Sequence, residues 1–501
     1  MVLVASLILL SPPQRWRDRG WLDDGGLTLD TADQLLHGKQ LFSEAFYQYG
    51  PASIETYVLW CKIFGNTISS FEWLSLLVTL ANCFLLFKVL QRAGLAFSSM
   101  AIAFLALIPY LLATGYVFYN NFEKTLILIV LLLWKSPEQR SLKRSLAMGA
   151  IIGVMQWVRF GAAAGVLAAV FILDLILERA FSPSLLKTTL AYVAGFFAVE
   201  GALAARLFLT LPKDVALDTL WPQFMAGSYD VYLTENTRFP IFTTLNYFIG
   251  GQLPIVVCAV LAVGAVFLVV RGRLATTCPA LLIPLFAFVV YCLIYYKQAW
   301  HYYIGSWLLV VTAAAAIDRL AGNWKAMVAL LLLPGFYVAL RMDVVPSRSS
   351  ETQATVLPNG EKLWISQDVI DRNQTLVKRL NELAESPSRR GVLFLSRTPV
   401  VLASQLYFFY QVPQPARHSM IFTGWLRQRD FESLPAVLDR SKAVVLFQNA
   451  HQGPPANDAC QWESHPYPRP YCEELSARLE EPVKVDDTCW IFPVSAKEAS
   501  H

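Results

Sequence analysis

Asp23 and Asp24 stand side by side in WLDDGGLTLDTADQLLHGKQLFSEAFYQYGP, residues 21–51 of a 501-residue chain. A carboxylate within reach of a hydroxyl can take its proton in a transition state, so either residue could be a general base. Asp before Gly-Gly is also ordinary turn and helix N-cap chemistry, and that structural reading competes. Glu123 opens an apolar run in YNNFEKTL, where a carboxylate can act on a substrate or simply complement a helix N-terminus. Arg159 in GVMQWVRFGAAAG, Lys297 and His301 in YYKQAWHYYIGSW, and Arg206 within a long apolar run are candidate phosphate-binding cations. Arg meets a phosphate with two parallel hydrogen bonds and Lys with a point charge, although both also snorkel to headgroups from helix ends. Tyr47 and Tyr49 offer ring faces to a sugar or belong to an interfacial aromatic belt. Glu200 shares the run of Arg206, six residues away, a spacing that does not put them on one helix face. Asp30 and Asp33 read as the polar face of a helix over LDTADQLLHG.

The elements that must hold these residues are set by composition. Apolar residues make up 55% of the chain and charged residues 16%, against about 25% charged in an ordinary globular domain. Apolar runs near 71–91, 97–116, 121–135, 145–158, 161–178, 186–210, 253–270, 277–296, 302–317 and 324–341 approach the length a membrane helix needs. MVLVASLILL is read as the outer half of one more span, whose beginning precedes residue 1. The fold class is therefore an all-α polytopic membrane bundle of about eleven helices over 1–341, with an external loop over 11–70. Basic residues recur on alternate loops: Lys88 and Arg92; Lys135, Arg140, Lys143 and Arg144; Arg179 and Lys187; Arg271 and Arg273; Arg319 and Lys325. Cationic loops stay in the cytoplasm, so loop 11–70 and the tail from 342 lie outside a plasma (inner) membrane that the chain crosses many times.

The tail, 342–501, regains charges and prolines and reads as a small extracytoplasmic α/β domain. Helical patterns in DVIDRNQTLVKRLNELAES, FESLPAVLDRS and YCEELSARLEE alternate with the short apolar runs GVLFLS, KAVVLFQ and CWIFPV. Cys460, Cys472 and Cys489 allow three single disulfides, and spacing does not choose among them. A net charge of +4 with no basic stripe gives no grip on nucleic acid.

No Gly-rich nucleotide loop, His-Glu-x-x-His or Gly-x-Ser-x-Gly occurs, which disfavours an ATP-driven pump, a zinc protease and a serine hydrolase. The pattern D-G-G-x(8)-L-L-x-G from Asp24 to Gly38, followed by FSEAFYQYGP, resembles the first external loop of GT-C membrane glycosyltransferases. The branch is the bacterial one related to protein O-mannosyltransferases and lipid A aminoarabinose transferase. The GVMQWVRFGAAAG corner, the basic-aromatic YYKQAWHYYIGSW and the exported tail also match. Gly25 occupies the loop's usual second acidic position, leaving Asp23–Asp24 as the acidic pair. The resemblance implies sugar transfer from a polyprenyl-phosphate donor to a hydroxyl of a glycan, lipid or protein, with inversion at the anomeric carbon. Asp24 would be the base, with Asp23 its rival, and Glu123 would orient base or acceptor. Lys297, His301, Arg159 and Arg206 would hold the donor phosphate, and Tyr47 and Tyr49 would line the sugar or acceptor pocket. Loop 220–240 would lie over the site, and the tail would cap it or grip the acceptor. No cofactor is indicated; a divalent metal is allowed but not pointed to by the residues.

Three other classes compete. A ligase or polymerase of lipid-linked glycans calls for an external loop rich in Arg and His, and residues 211–245 hold one Arg and no His. A secondary transporter calls for inverted repeats and broken helices, and no convincing repeat is found. A membrane scaffold presenting the tail would work without the acidic loop.

Overall fold

The computed structural model describes residues 24–47, 49–113, 118–136, 139–158, 160–178, 182–220, 253–271, 278–294, 307–339, 352–360, 362–383, 390–396, 402–416, 428–447, 455, 459 and 469–495. Each of the ten apolar runs is helical: α3 (Ile68–Arg92), α4 (Phe97–Ala113), α5 (Phe118–Leu133), α6 (Leu142–Gln156), α7 (Phe160–Glu178), α8 (Pro183–Thr210), α10 (Leu253–Val270), α11 (Ile283–Ile294, entered by a 3-10 turn at Cys278–Leu282), α12 (Trp307–Arg319) and α13 (Gly322–Ala339). Three short helices sit among them: α1 (Asp24–Leu36), α2 (Pro51–Phe64) and α9 (Lys213–Leu220). Among the described residues, α3 and α8 meet by length and composition the requirement for crossing a membrane.

Local chemistry sets several helix starts. Thr67 caps α3 by accepting from the Ser70 amide, and Ser182 caps α8 by accepting from the Leu185 amide ahead of Pro183. Both caps satisfy amides that have no carbonyl partner within the helix. Helices α3 to α8 and α10 to α13 share one apolar core, from Cys83 and Leu86 through Val166 and Val170 to Leu332. α6 and α8 approach closely because glycine faces backbone on both sides. A Cβ on Gly149 would lie 1.8 Å from the Tyr192 carbonyl oxygen, and one on Gly195 would lie 2.1 Å from that of Leu146. Small residues at such positions let two helix backbones approach closely.

The C-terminal part begins with an antiparallel hairpin of β1 (Thr352–Val356) and β2 (Lys362–Ser366). A second sheet runs in the order β3 (Gly391–Ser396), β4 (Ser441–Phe447), β6 (Cys489–Pro493), β5 (Val483–Asp486). Its β3–β4 pair is parallel and the other pairs are antiparallel. Helices α14 (Gln367–Glu382), α15 (Leu402–Tyr410), α16 (Gln428–Asp439) and α17 (Arg469–Arg478) cover it. Side chains alternate between the faces of a strand. Val392, Phe394, Ala443, Val445 and Phe447 accordingly point into one core, while Leu393, Leu395, Val444 and Leu446 point into another with α16 and α17. The first of these cores also contains Leu27, Leu29 and Ala32 of α1 and Ile54, Tyr57 and Cys61 of α2. The opening loop and the C-terminal sheet therefore share one hydrophobic interior. Of the three tail cysteines, Cys489 is a buried free thiol and Cys472 is disulfide-bonded.

Candidate active site

The described part of α1 begins at Asp24, the residue favoured by sequence. Only its backbone is described, and Asp23, Arg159, Lys297, His301 and residues 221–240 of the segment expected over the site lie outside the described residues. The helix that carries Asp24 is enclosed almost all round. Gly25 to Ala32 are buried, and the expected water-facing position of Asp30 is only 3% exposed. The reason for that difference is tertiary: α15 packs on α1 and Gln414 bonds to it, covering the face that amphipathicity alone assigns to solvent. Asp30 accepts a hydrogen bond from Gln34 Nε2 at 3.0 Å. Asp33 is half-buried, and that burial raises its carboxyl above the ordinary value against the opposing pull of His37. Burial, reinforced by the nearby Asp30 carboxylate, pushes the Tyr407 hydroxyl far above its usual range; that hydroxyl donates to the Val392 carbonyl at 2.7 Å.

The tyrosines beyond α1 are fixed by this same packing. Tyr47 is 1% exposed, its hydroxyl 3.3 Å from Thr28 Oγ1 on α1. Tyr49 meets it edge to face at 5.5 Å and packs against both the helix-bundle core and the α1–α2 core. Tyr49 is thus the junction residue, half-buried, while Tyr47 supports it from inside.

Gly50 then docks on the α6–α7 corner. Its amide donates to the Val158 carbonyl at 3.3 Å, and the Ala52 amide donates to the Trp157 carbonyl at 3.1 Å. A Cβ at residue 50 would stand 1.8 Å from that Trp157 oxygen, so only glycine allows the approach. The contact brings the Tyr-Gly-Pro step to the two residues immediately before Arg159. The Trp157 indole donates to Glu200 Oε2 at 3.0 Å, which ties the corner to α8. Farther along α8, Arg206 donates to both oxygens of Glu55 on α2, at 2.7 and 2.6 Å. Arg206 and Glu200 therefore take separate partners, and the Arg206 guanidinium is engaged by Glu55 in this structure. The Gln40 side-chain amide reaches the Thr210 carbonyl, and Phe42 is buried among Trp157, Leu207 and Leu211. Four attachments thus fasten the opening loop to the end of α8 and its corner.

At the head of α5, Glu123 is 5% exposed and its neighbour Lys124 1%. Lys124 Nζ lies 3.5 Å from Asn121 Oδ1. The Asn121 carbonyl accepts from Asn82 Nδ2 at 2.9 Å, and Thr125 Oγ1 donates to Asn82 Oδ1 at 2.7 Å. The Asn121 side-chain amide donates to Thr79 at 3.3 Å. A polar seam therefore runs between α3 and α5 inside an otherwise apolar bundle. The sequence signals for it are Asn82 in an apolar run and Lys124 beside Glu123; spacing alone did not single out Lys124.

The chain matches no protein-family profile and no curated protein by sequence. Its three-dimensional structure does have counterparts. ArnT from Cupriavidus metallidurans bound to undecaprenyl phosphate superposes with a TM-score of 0.58 at 11% identity, covering 98% of this chain and 96% of that chain. The apo state of the same ArnT gives 0.51 at 13% identity, with the same coverage. At such low identity the likeness speaks for the fold alone, but it speaks for nearly the whole length of both chains. The chain therefore shares the fold of that ArnT over nearly its whole length.

Proposed function

We propose that this chain is an integral membrane glycosyltransferase that takes a sugar from a polyprenyl-phosphate donor and passes it to a hydroxyl group at the outer membrane face. The observation that carries the reading is the whole-length likeness to ArnT, a protein seen with undecaprenyl phosphate bound. Large apolar side chains on the outside of the bundle, among them Trp73, Phe84, Phe197 and Val260, give further support. Exposed apolar side chains of this size suit lipid rather than water. Some eleven spans would place the opening loop and the C-terminal α/β region, 342–501, outside the plasma (inner) membrane.

In the reaction, the acceptor oxygen attacks the anomeric carbon as the bond from that carbon to the phosphate oxygen breaks. The acceptor proton passes to Asp24 or Asp23, and the polyprenyl phosphate departs with the bonding electron pair, inverting the centre. Phosphate is a competent leaving group, so a base and fixed cations suffice. Arg159, Lys297 and His301 would bind the phosphate, joined by Lys124, which stands beside Glu123 on the polar seam between α3 and α5. Glu123 would orient base or acceptor. Arg206 would join the phosphate site only on leaving Glu55; its present part is to anchor α2. Tyr49 would face the sugar, with Tyr47 behind it.

The test is transfer from purified polyprenyl-phosphate sugars by the protein in nanodiscs, comparing wild type with the Asp23→Ala, Asp24→Ala double variant. Loss of a general base predicts a fall of about 10²–10⁴-fold in kcat with donor binding kept. Turnover at the wild-type rate in a correctly inserted double variant contradicts the assignment.

A further inference from the structure

We infer that Gln34 and Gln414 are positioning residues that latch α1, the helix beginning at Asp24, to the C-terminal α/β region. Gln34 Nε2 donates to Gln414 Oε1 at 2.9 Å and to Asp30 Oδ2 at 3.0 Å, while Gln34 Oε1 accepts from Lys39 Nζ at 3.2 Å. Both ends of the amide are thus engaged, and the residue is 7% exposed. The surrounding seam is apolar, with Leu27, Leu29 and Ala32 in one core with Leu406, Tyr407 and Phe409.

These two kinds of contact have different consequences. Apolar burial is non-directional, so it holds α1 against α15 without fixing its rotation or its shift along the seam. The Gln34 amide has one favourable geometry toward Gln414 and Asp30 together, and it fixes both. Asp24 lies ten residues earlier on the same helix, about 15 Å along its axis. A rigid helix passes a shift at Gln34 to Asp24 nearly undiminished. A misplacement of about 1 Å can cost a reaction on the order of 10²-fold. The C-terminal region thus acts on the proposed chemistry from behind the base-bearing helix, whatever else it binds. The catalytic consequence rests on the proposed function; the latch itself does not.

The experiment uses the full chain in nanodiscs. Gln414→Leu removes the acceptor, Gln414→Glu keeps one, and the near-isosteric Gln34→Met breaks the same link from the other side should Q414L fail to fold. Amide hydrogen exchange over residues 24–36 is expected to quicken by roughly three- to tenfold in Q414L or Q34M, the effect of one lost hydrogen bond. It should stay at the wild-type rate in Q414E, with the sheet strands equally protected in all. Sugar transfer should lose kcat by about tenfold in the same two variants while donor KM is kept, and recover in Q414E. Unchanged exchange in α1, or a uniform loss across the sheet in Q414E as well, overturns the latch. A wild type that transfers no sugar, with the α1 exchange response intact, removes the proposed function and leaves the latch standing.

Discussion

Arg140 grips Asp174 at one end of the helix bundle with the same two-point geometry that Arg206 uses on Glu55 at the other. The surroundings differ entirely. Arg140 and Asp174 side chains are both 0% exposed, joined by bonds of 2.8 and 2.7 Å. The Trp134 indole donates to the same carboxylate at 3.1 Å, and Arg140 also donates to the Lys135 carbonyl. Arg206 and Glu55 side chains are 54% and 36% exposed. A buried pair is expensive to break from one side because the surviving charge is stranded, whereas water and salt readily replace an exposed partner. One end of the bundle is therefore closed by a rigid bolt, and the other is fastened by several weak ties around the opening loop. The lesson is that the molecule places its adjustable contacts where the chemistry is proposed and its fixed ones away from it.

Breaking the bolt should have the largest effect. Asp174→Ala leaves Arg140 buried without its carboxylate and is expected to destabilise the bundle by about 3–5 kcal/mol. Thermal unfolding in detergent would register this as a much lower midpoint, and a midpoint within a degree of wild type would erase the contrast. Next comes Gly50→Ala, which drives a methyl into the Trp157 carbonyl and should cost about 1–3 kcal/mol. Proteolysis between residues 39 and 50 should quicken in that variant while the far end keeps its protection. Trp157→Phe removes one donor from Glu200 and should cost about 1–2 kcal/mol, read in the same melt. The smallest effect belongs to Arg206→Ala, about 0–1 kcal/mol, and it should shrink further as salt is raised. A loss as large as that of Asp174→Ala would show that the outer tie is no softer than the inner bolt.

Much of this was legible in the chain, for reasons that are local. Ten apolar runs specify ten helices because each must satisfy its backbone internally whatever its neighbours do. GVLFLS, KAVVLFQ and CWIFPV become β3, β4 and β6 because short apolar runs between helical patterns suit a buried sheet. α2 lies within the span that sequence assigns to an external loop, although Pro51 at its first turn and Gly65 at its end are recognisable helix bounds. The burial of Asp30 was not legible, because the residues that cover its helix lie some 380 positions away, as the Gln34–Gln414 bond does. Gly50 reads as a turn residue in sequence and proves to be a docking residue, since only the fold brings Trp157 beside it. Lys124 is visible in YNNFEKTL, but its meaning depends on being enclosed by α3, which no spacing rule reports.

Lipid binding tests the central claim most directly. Native mass spectrometry of the purified full chain with undecaprenyl phosphate, against phosphatidylglycerol at the same concentration, would measure whether a polyprenyl phosphate is held selectively. The account predicts one retained undecaprenyl phosphate, weakened at least about tenfold by Lys124→Met through loss of a charge-assisted contact, and undiminished in the Asp23→Ala, Asp24→Ala variant. Equal retention of the two lipids, or binding untouched by removing Lys124, Lys297 and His301 together, would contradict it.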